Sequence, residues 1–205
     1  MKLNEKVPLP KLGRPLSFDR QVALHRAMLL FWRQGYETTS LSDLTNGLGV
    51  TAPSIYAAFG SKKGLFLEAV KLYTGGPVTA ASIINEAASS RIAALNLLRA
   101  SAIGFTGVST PPGCLLASST TNCSAGAADV QRELAGIRRK IESRLKKKIQ
   151  EDIASGRLSP QADASALAAH TMAVIQGMSS LARDGAKRPK LLRVASIAMG
   201  AWPPD

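Results

Sequence analysis

The segment Thr38–Phe66, TTSLSDLTNGLGVTAPSIYAAFGSKKGLF, constrains what this chain can fold into more than any other stretch. Ser40 stands three residues before Asp43, a spacing at which hydroxyl and carboxylate satisfy the free N–H groups of a helix start. Leu41, Leu44 and Leu48 follow at spacings of three and four and give that helix one apolar face. Gly47-Leu48-Gly49 supplies a turn, because glycine takes backbone angles that other residues resist. Thr51 is the expected cap of a second helix, with Pro53 in its first turn, where a missing N–H costs nothing. Ile55 and Phe59, four apart, face inward. Two short helices across a tight turn make a helix-turn-helix, whose second helix suits a DNA major groove.

The flanks extend this unit. A first helix is expected over Phe18–Gln34, capped by Ser17 and ended by Gly35, with Ala23, Leu24, Ala27, Met28 and Phe31 as its apolar stripe. A fourth begins near Ser61 and turns Leu65, Ala69 and Leu72 inward. Residues 1–16 carry Pro8, Pro10, Gly13, Pro15 and four Lys/Arg, which predicts a flexible basic arm. Gly75-Gly76-Pro77 breaks the chain and marks the expected boundary between a DNA-binding domain, 17–74, and a second helical domain, 75–205. In the second domain, helices are expected over Val78–Ala88, Ile92–Phe105, Cys114–Asn122, Asp129–Ser155, Asp163–Ala182 and Lys190–Trp202. Aromatics are only 5% of a chain that is 45% apolar, so the core rests on Ala, Leu, Ile and Val, which favours helices. The expected fold is all-α, with about nine helices.

Over residues 17–73 the chain resembles the TetR family of bacterial repressors. The family's Gly-Tyr, Thr/Ser cap, Gly-Val turn, recognition-helix Tyr and Phe-x-x-Lys exit correspond to Gly35-Tyr36, Thr39-Ser40, Gly49-Val50, Tyr56, Phe59 and Lys62. Further on, PPGCLL at Pro111–Leu116 and VIQGMSSLARDGA at Val174–Ala186 look like one branch of that family. The resemblance implies a ligand-responsive homodimer that binds a palindromic operator in double-stranded DNA.

Most protein–DNA hydrogen bonds go to phosphate, while base edges carry the sequence information. Thr38 and Thr39 at the start of the second helix, Tyr56 through its hydroxyl, and Lys62 are the candidate phosphate contacts; the resemblance supports the last two most directly. The reading helix, Thr51–Ala58, contains no Arg, Lys, Asn or Gln, the residues that fork onto bases. Thr51 and Ser54 offer single hydrogen bonds, and Ala52, Pro53 and Ala57 offer contact with thymine methyls. Shape readout must then carry much of the specificity. Lys11 and Arg14 of the arm either reach a neighbouring groove or serve only as a solubilising tail.

The C-terminal part carries no Ser-His-Asp spacing, phosphate loop or paired-carboxylate signature, so catalysis is not expected. His25 is expected on a wet helix face and His170 at a packing surface. The family resemblance implies a pocket for an unknown apolar or amphipathic effector, with Phe105, Cys114, Leu115, Ser118 and Met172 as candidate lining. Leu167, Thr171, Val174, Met178 and Leu181 recur at spacings of four and three, a seam expected with Trp202 to face a dimer partner, the core being the alternative. Leu191, Ala195, Ala198 and Trp202 add a second stripe. Arg138–Lys148 carries Arg or Lys at seven of its eleven positions: a solvated face, an acidic-ligand site or a second DNA contact.

Net charge of +12 suits a polyanionic partner, although charge alone would not separate DNA from RNA or acidic lipid. No apolar run approaches the roughly 20 residues that span a bilayer, and MKLNEKVPLPKLGRPL lacks the apolar block of a signal peptide. The expectation is a cytoplasmic bacterial protein at the nucleoid, with no membrane partner, cofactor or resident metal. Cys114 and Cys123 make no disulfide framework. They are either inert thiols or the sensor of a thiol- or copper-responsive repressor. A helical enzyme or interaction module without operator binding is the remaining alternative.

Overall fold

Asp19, not Ser17, starts the first helix: its carboxylate accepts from the N–H groups of Gln21 and Val22, so the helix begins two residues later than the apolar stripe suggests. The computed structural model describes residues 18–119 and 127–203, and Ser17, Lys11, Arg14, the arm at 1–16 and Cys123 lie outside them. The described residues form α1 (Arg20–Gln34), α2 (Leu41–Leu48), α3 (Ala52–Phe59), α4 (Lys62–Thr74), α5 (Ala80–Glu86) and α6 (Ser90–Gly104). They continue with α7 (Leu115–Ser118), α8 (Ala128–Ala154), α9 (Ala164–Arg183), α10 (Arg188–Ala198) and a closing 3-10 turn (Met199–Ala201). No strand occurs among them, and the all-α expectation holds. None of their helices is long and apolar enough to cross a membrane.

Several element ends move for local reasons. Thr79 and Ser82 form a capping box, which starts α5 at Ala80 rather than Val78. Ser89 caps α6 and starts it at Ser90 rather than Ile92. Cys114 stands outside α7 as its flanking residue, and α7 ends at Ser118, so no helix runs from Cys114 towards Cys123. Leu72 is exposed on α4, and Leu65, Phe66, Ala69 and Val70 make the buried face instead.

Two apolar cores result. Phe31, Trp32, Leu44, Ile55, Leu65 and Phe66 centre the first, and Leu115, Leu116, Val130 and Leu134 from far along the chain complete it. Leu98, Leu145, Ile149, Met178, Leu191 and Trp202 centre the second. The helix break does fall at Gly75–Pro77, but the packing does not divide there, because α7 and the start of α8 close the N-terminal core. The seam on α9 faces inward. Met178 is 0% exposed, Thr171 is buried, and Leu167, Val174 and Leu181 pack half-buried against the second core. Met178 and Trp202 are therefore core residues of this chain and not partner-facing ones.

A buried carboxylate ties the second core together. Asp152 of α8 accepts from the backbone N–H of Ser90, at the start of α6, and pairs with Arg157. Burial alone would raise its pKa, but the hydrogen bonds from Ser90 and the Arg157 guanidinium outweigh that and hold it below the ordinary carboxylate range.

Candidate nucleic-acid interface and the cavity behind it

The reading helix is set by caps at both ends. The Ser40–Asp43 capping box starts α2, with Asp43 Oδ2 accepting from the Ser40 N–H at 2.8 Å. Gly49 closes α2 in the left-handed region, at φ 70°. Thr51 caps α3, and its Oγ1 lies 2.9 Å from Ser54 Oγ, so the two hydroxyls are already engaged with each other. Ser61 caps α4 and accepts from the Gly64 N–H at 2.9 Å.

Ile55 and Phe59 turn the inner face of α3 into the core. The outer face presents Thr51, Pro53, Tyr56 and Ala57, with Ala52 and Ser54 half-buried beside them. Tyr56 is 48% exposed, as a phosphate contact requires. Thr38 is exposed and donates to the Gln34 carbonyl. Thr39 is different: it is 0% exposed and its hydroxyl donates to the Gly35 carbonyl at 2.6 Å. It stitches the α1–α2 turn, and its side chain cannot reach a phosphate. Lys62 is half-buried, donates to the Glu37 carbonyl at 3.2 Å and lies 4.7 Å over the Tyr36 ring. Burial draws its ammonium below the ordinary lysine range, with Glu37 and Asp43 pulling the other way. The site thus holds Lys62 at a fixed place beside the start of α4.

Sequence reasoning missed the residue that holds α3 in place. Arg20 donates from Nη2 to both Glu68 carboxylate oxygens, at 2.7 and 2.8 Å, reaches the Ala58 carbonyl at the end of α3, and lies 4.5 Å over the Phe59 ring. It joins α1, α3 and α4 in one clamp. The only sequence signal is an unpaired charge next to an apolar stripe, which has no partner until the fold is known.

Behind this unit lies a cavity of about 450 Å3, walled by α1, α4, α5, α6, α8 and α9. Phe105, Cys114 and Met172 line it, as expected. Leu115 does not, being fully buried in the N-terminal core, and neither does Ser118, whose hydroxyl lies 3.4 Å from the Trp32 carbonyl. The lining that sequence reasoning missed includes Trp32 and Tyr73, both from the DNA-binding part of the chain. Their rings meet edge to face at 4.8 Å. Tyr73 donates to Cys114 Sγ at 3.4 Å, and its burial, reinforced by Cys114, keeps the phenol protonated. Trp32 Nε1 donates to the Gly113 carbonyl at 3.0 Å, and Arg183 of α9 reaches the Trp32 and Arg33 carbonyls at the end of α1. Lys63, at the start of α4, pairs with Asp129, at the start of α8. His25 is exposed on α1, and His170 is half-buried on α9 with its Nδ1 unpartnered.

Comparison with known proteins agrees with this geometry. Residues 23–69 match the bacterial regulatory proteins of the tetR family, and residues 92–195 match the tetracyclin repressor-like C-terminal domain. The chain is 36% identical over 193 residues to the HTH-type transcriptional repressor ComR of Escherichia coli K12, covering 93% of this chain and 92% of that protein. Its fold superposes with a TM-score of 0.87, at 36% identity, on a cysteine mutant of the TetR family transcriptional regulator CifR complexed with 26-base-pair operator DNA; the match covers 93% of this chain and all of that one. A putative TetR regulator from Rhodococcus matches at 33% identity and a TM-score of 0.60, over 90% of this chain and 100% of that one.

Proposed function

Because the chain belongs to the TetR family of transcriptional regulators, which are not enzymes, we propose that it is a cytoplasmic homodimeric repressor that releases a palindromic operator when a small molecule fills the cavity behind the DNA-reading helices. The ComR and CifR relatives, a repressor and an operator-bound regulator, support the DNA partner. In each protomer α3 enters a major groove, and the two-fold axis of the dimer makes the operator palindromic.

One observation carries the ligand response. Trp32 and Tyr73 belong to the DNA-reading part of the chain and also wall the cavity. An occupant that displaces either ring shifts the ends of α1 and α4, and with them the spacing of the two reading helices. A ligand moves such an equilibrium only as far as its affinity differs between the two states. Direct contact with these rings is the source of that difference. Gel shifts with DNA upstream of the gene test the operator, and repetition with candidate effectors tests release.

Phosphate contacts contribute affinity without sequence preference. Tyr56→Phe and Lys62→Ala should therefore weaken binding to operator and random duplex alike. Lys62→Ala should also lower the slope of log affinity against log salt by about one unit. A variant that kept this slope but lost discrimination between sequences would contradict the assignment.

The dimer surface lies on the outer face of α9 and α10. Ala166, Ala169, Ala173, Gly177 and Ser180 form an exposed stripe of small residues on α9 that allows close helix approach. On α10, which packs on α9, Ile197 is 78% exposed. Introducing paired charges with Ala173→Glu and Ile197→Glu should produce monomers with poor operator affinity, measured by light scattering and gel shift. Dimers of unchanged mass would move the interface elsewhere. The thiol-sensing alternative also keeps a specific footing, since Cys114 lines the cavity. Loss of the effector response in Cys114→Ser would favour it.

A further inference from the structure

We infer that the effector is an amphipathic organic anion, its apolar body in the cavity and its carboxylate or sulfate head held by Lys140 and Arg144 at the mouth. The inference rests on the cavity being the effector site.

The spacing along α8 sets up the chemistry. Ile137 and Ile141, four apart, line the cavity, and Lys140 and Arg144 line it from the adjacent stripe. These are the only charged side chains among its described lining, and both are cations. Neither is in an ion pair among the described residues. Among the described residues Arg144 reaches only a neutral acceptor, Asn85 Oδ1 of α5, at 3.3 Å.

The same two side chains also line a second hollow, between α5 and α8. Arg139, Lys147 and Lys148 join them there, and the hollow's one acid, Glu151, lies 3.9 Å from Lys147. The apolar cavity thus meets a field of one sign at Lys140 and Arg144. A cationic ligand would be repelled there, and a neutral head would accept only weaker hydrogen bonds from either side chain. A carboxylate or sulfate would accept charge-assisted hydrogen bonds from both, stronger than those of a neutral head. Leu97, Phe105, Met172 and Ile175 supply the apolar walls for the body. The volume of about 450 Å3 falls in the range that encloses a small organic molecule.

Calorimetric titration of the full-length protein with decanoate, 1-decanol and decyltrimethylammonium, below their micellar concentrations and at fixed salt, separates the contributions. Decanoate should bind about tenfold more tightly than the alcohol, and the cation should bind most weakly. In the double variant Lys140→Gln/Arg144→Gln the gap between acid and alcohol should shrink to about twofold, with affinity for the alcohol kept. Filling the cavity with Ala100→Phe, or with Ala81→Phe if the first variant fails to fold, should remove binding of all three.

Equal affinity for acid and alcohol in the parent, lost on filling the cavity, would overturn the anion assignment and leave the cavity as effector site. Binding undiminished in both filled variants would overturn the cavity reading itself, and the anion assignment with it. Failure of all three probes to bind the parent would also overturn the anion assignment.

Discussion

Replacing Gly64 with alanine is expected to cost operator affinity about a hundredfold, equivalent to about 2.7 kcal/mol. Gly64 lies in the first turn of α4, and a Cβ there would run into the backbone carbonyl oxygen of Phe59, the last residue of α3. Backbone cannot swing aside as a flexible side chain does, so α3 and α4 must separate. That separation strains the Arg20 clamp, which holds the Ala58 carbonyl and Glu68 together. It also moves Tyr56 and Pro53 relative to Lys62, so groove and phosphate contacts no longer fit together. Gly60 is the internal control. Its φ is 75° with ψ −45°, and a Cβ added to it would meet no atom within 4 Å, so Gly60→Ala carries only a backbone-strain penalty of about 1–3 kcal/mol. Equal operator affinities in titrations of the two variants would show that the Phe59–Gly64 contact does not set the reading helix.

A large loss of stability, about 1–3 kcal/mol by chemical denaturation, should come from Asp152→Ala. The side chain is 3% exposed and satisfies both the Ser90 N–H and the Arg157 guanidinium. Removing it leaves a buried donor at the start of α6 and a cation without its partner. The same group makes stability depend on pH. Its pKa is lower in the folded chain than the ordinary 3.8, so its contribution is complete above that value. It fades as pH falls through the folded-state pKa, because the unfolded chain then binds the proton more readily. Asp152→Asn should flatten this acid limb. An acid limb identical to the parent's would assign the pH dependence to other carboxylates.

Caps are legible in the sequence because they are short-range. Ser40 with Asp43, Thr51 before Pro53, and Ser61 each act within three residues, and all three stand at helix starts in the structure. Arg20 and Glu68 are 48 residues apart, and no local pattern announces their meeting. Thr39 shows the converse failure. Beside a helix start it reads as a phosphate contact, but the α1–α2 turn buries it and uses its hydroxyl on Gly35. The seam on α9 is visible as a periodicity, but periodicity does not say which of two apolar neighbours it faces. Here the chain's own second core claims it, leaving the small-residue stripe outside. The cavity is half legible: Phe105, Cys114 and Met172 come from the C-terminal part, where a pocket is expected, while Trp32 and Tyr73 come from the part that the helix-turn-helix pattern assigns to DNA.

The N-terminal core has a consequence for portability. Exchanging recognition heads between regulators by cutting at Gly75 would strip Leu115, Leu116, Val130 and Leu134 from one side of that core and separate Lys63 from Asp129. The transplanted head would carry its caps and its reading helix intact, yet expose the apolar faces of Phe31, Trp32 and Phe66 wherever the host lacked side chains of matching shape. A workable graft has to bring α7 and the first turns of α8 with it, so the unit of inheritance for DNA reading is discontinuous in the chain.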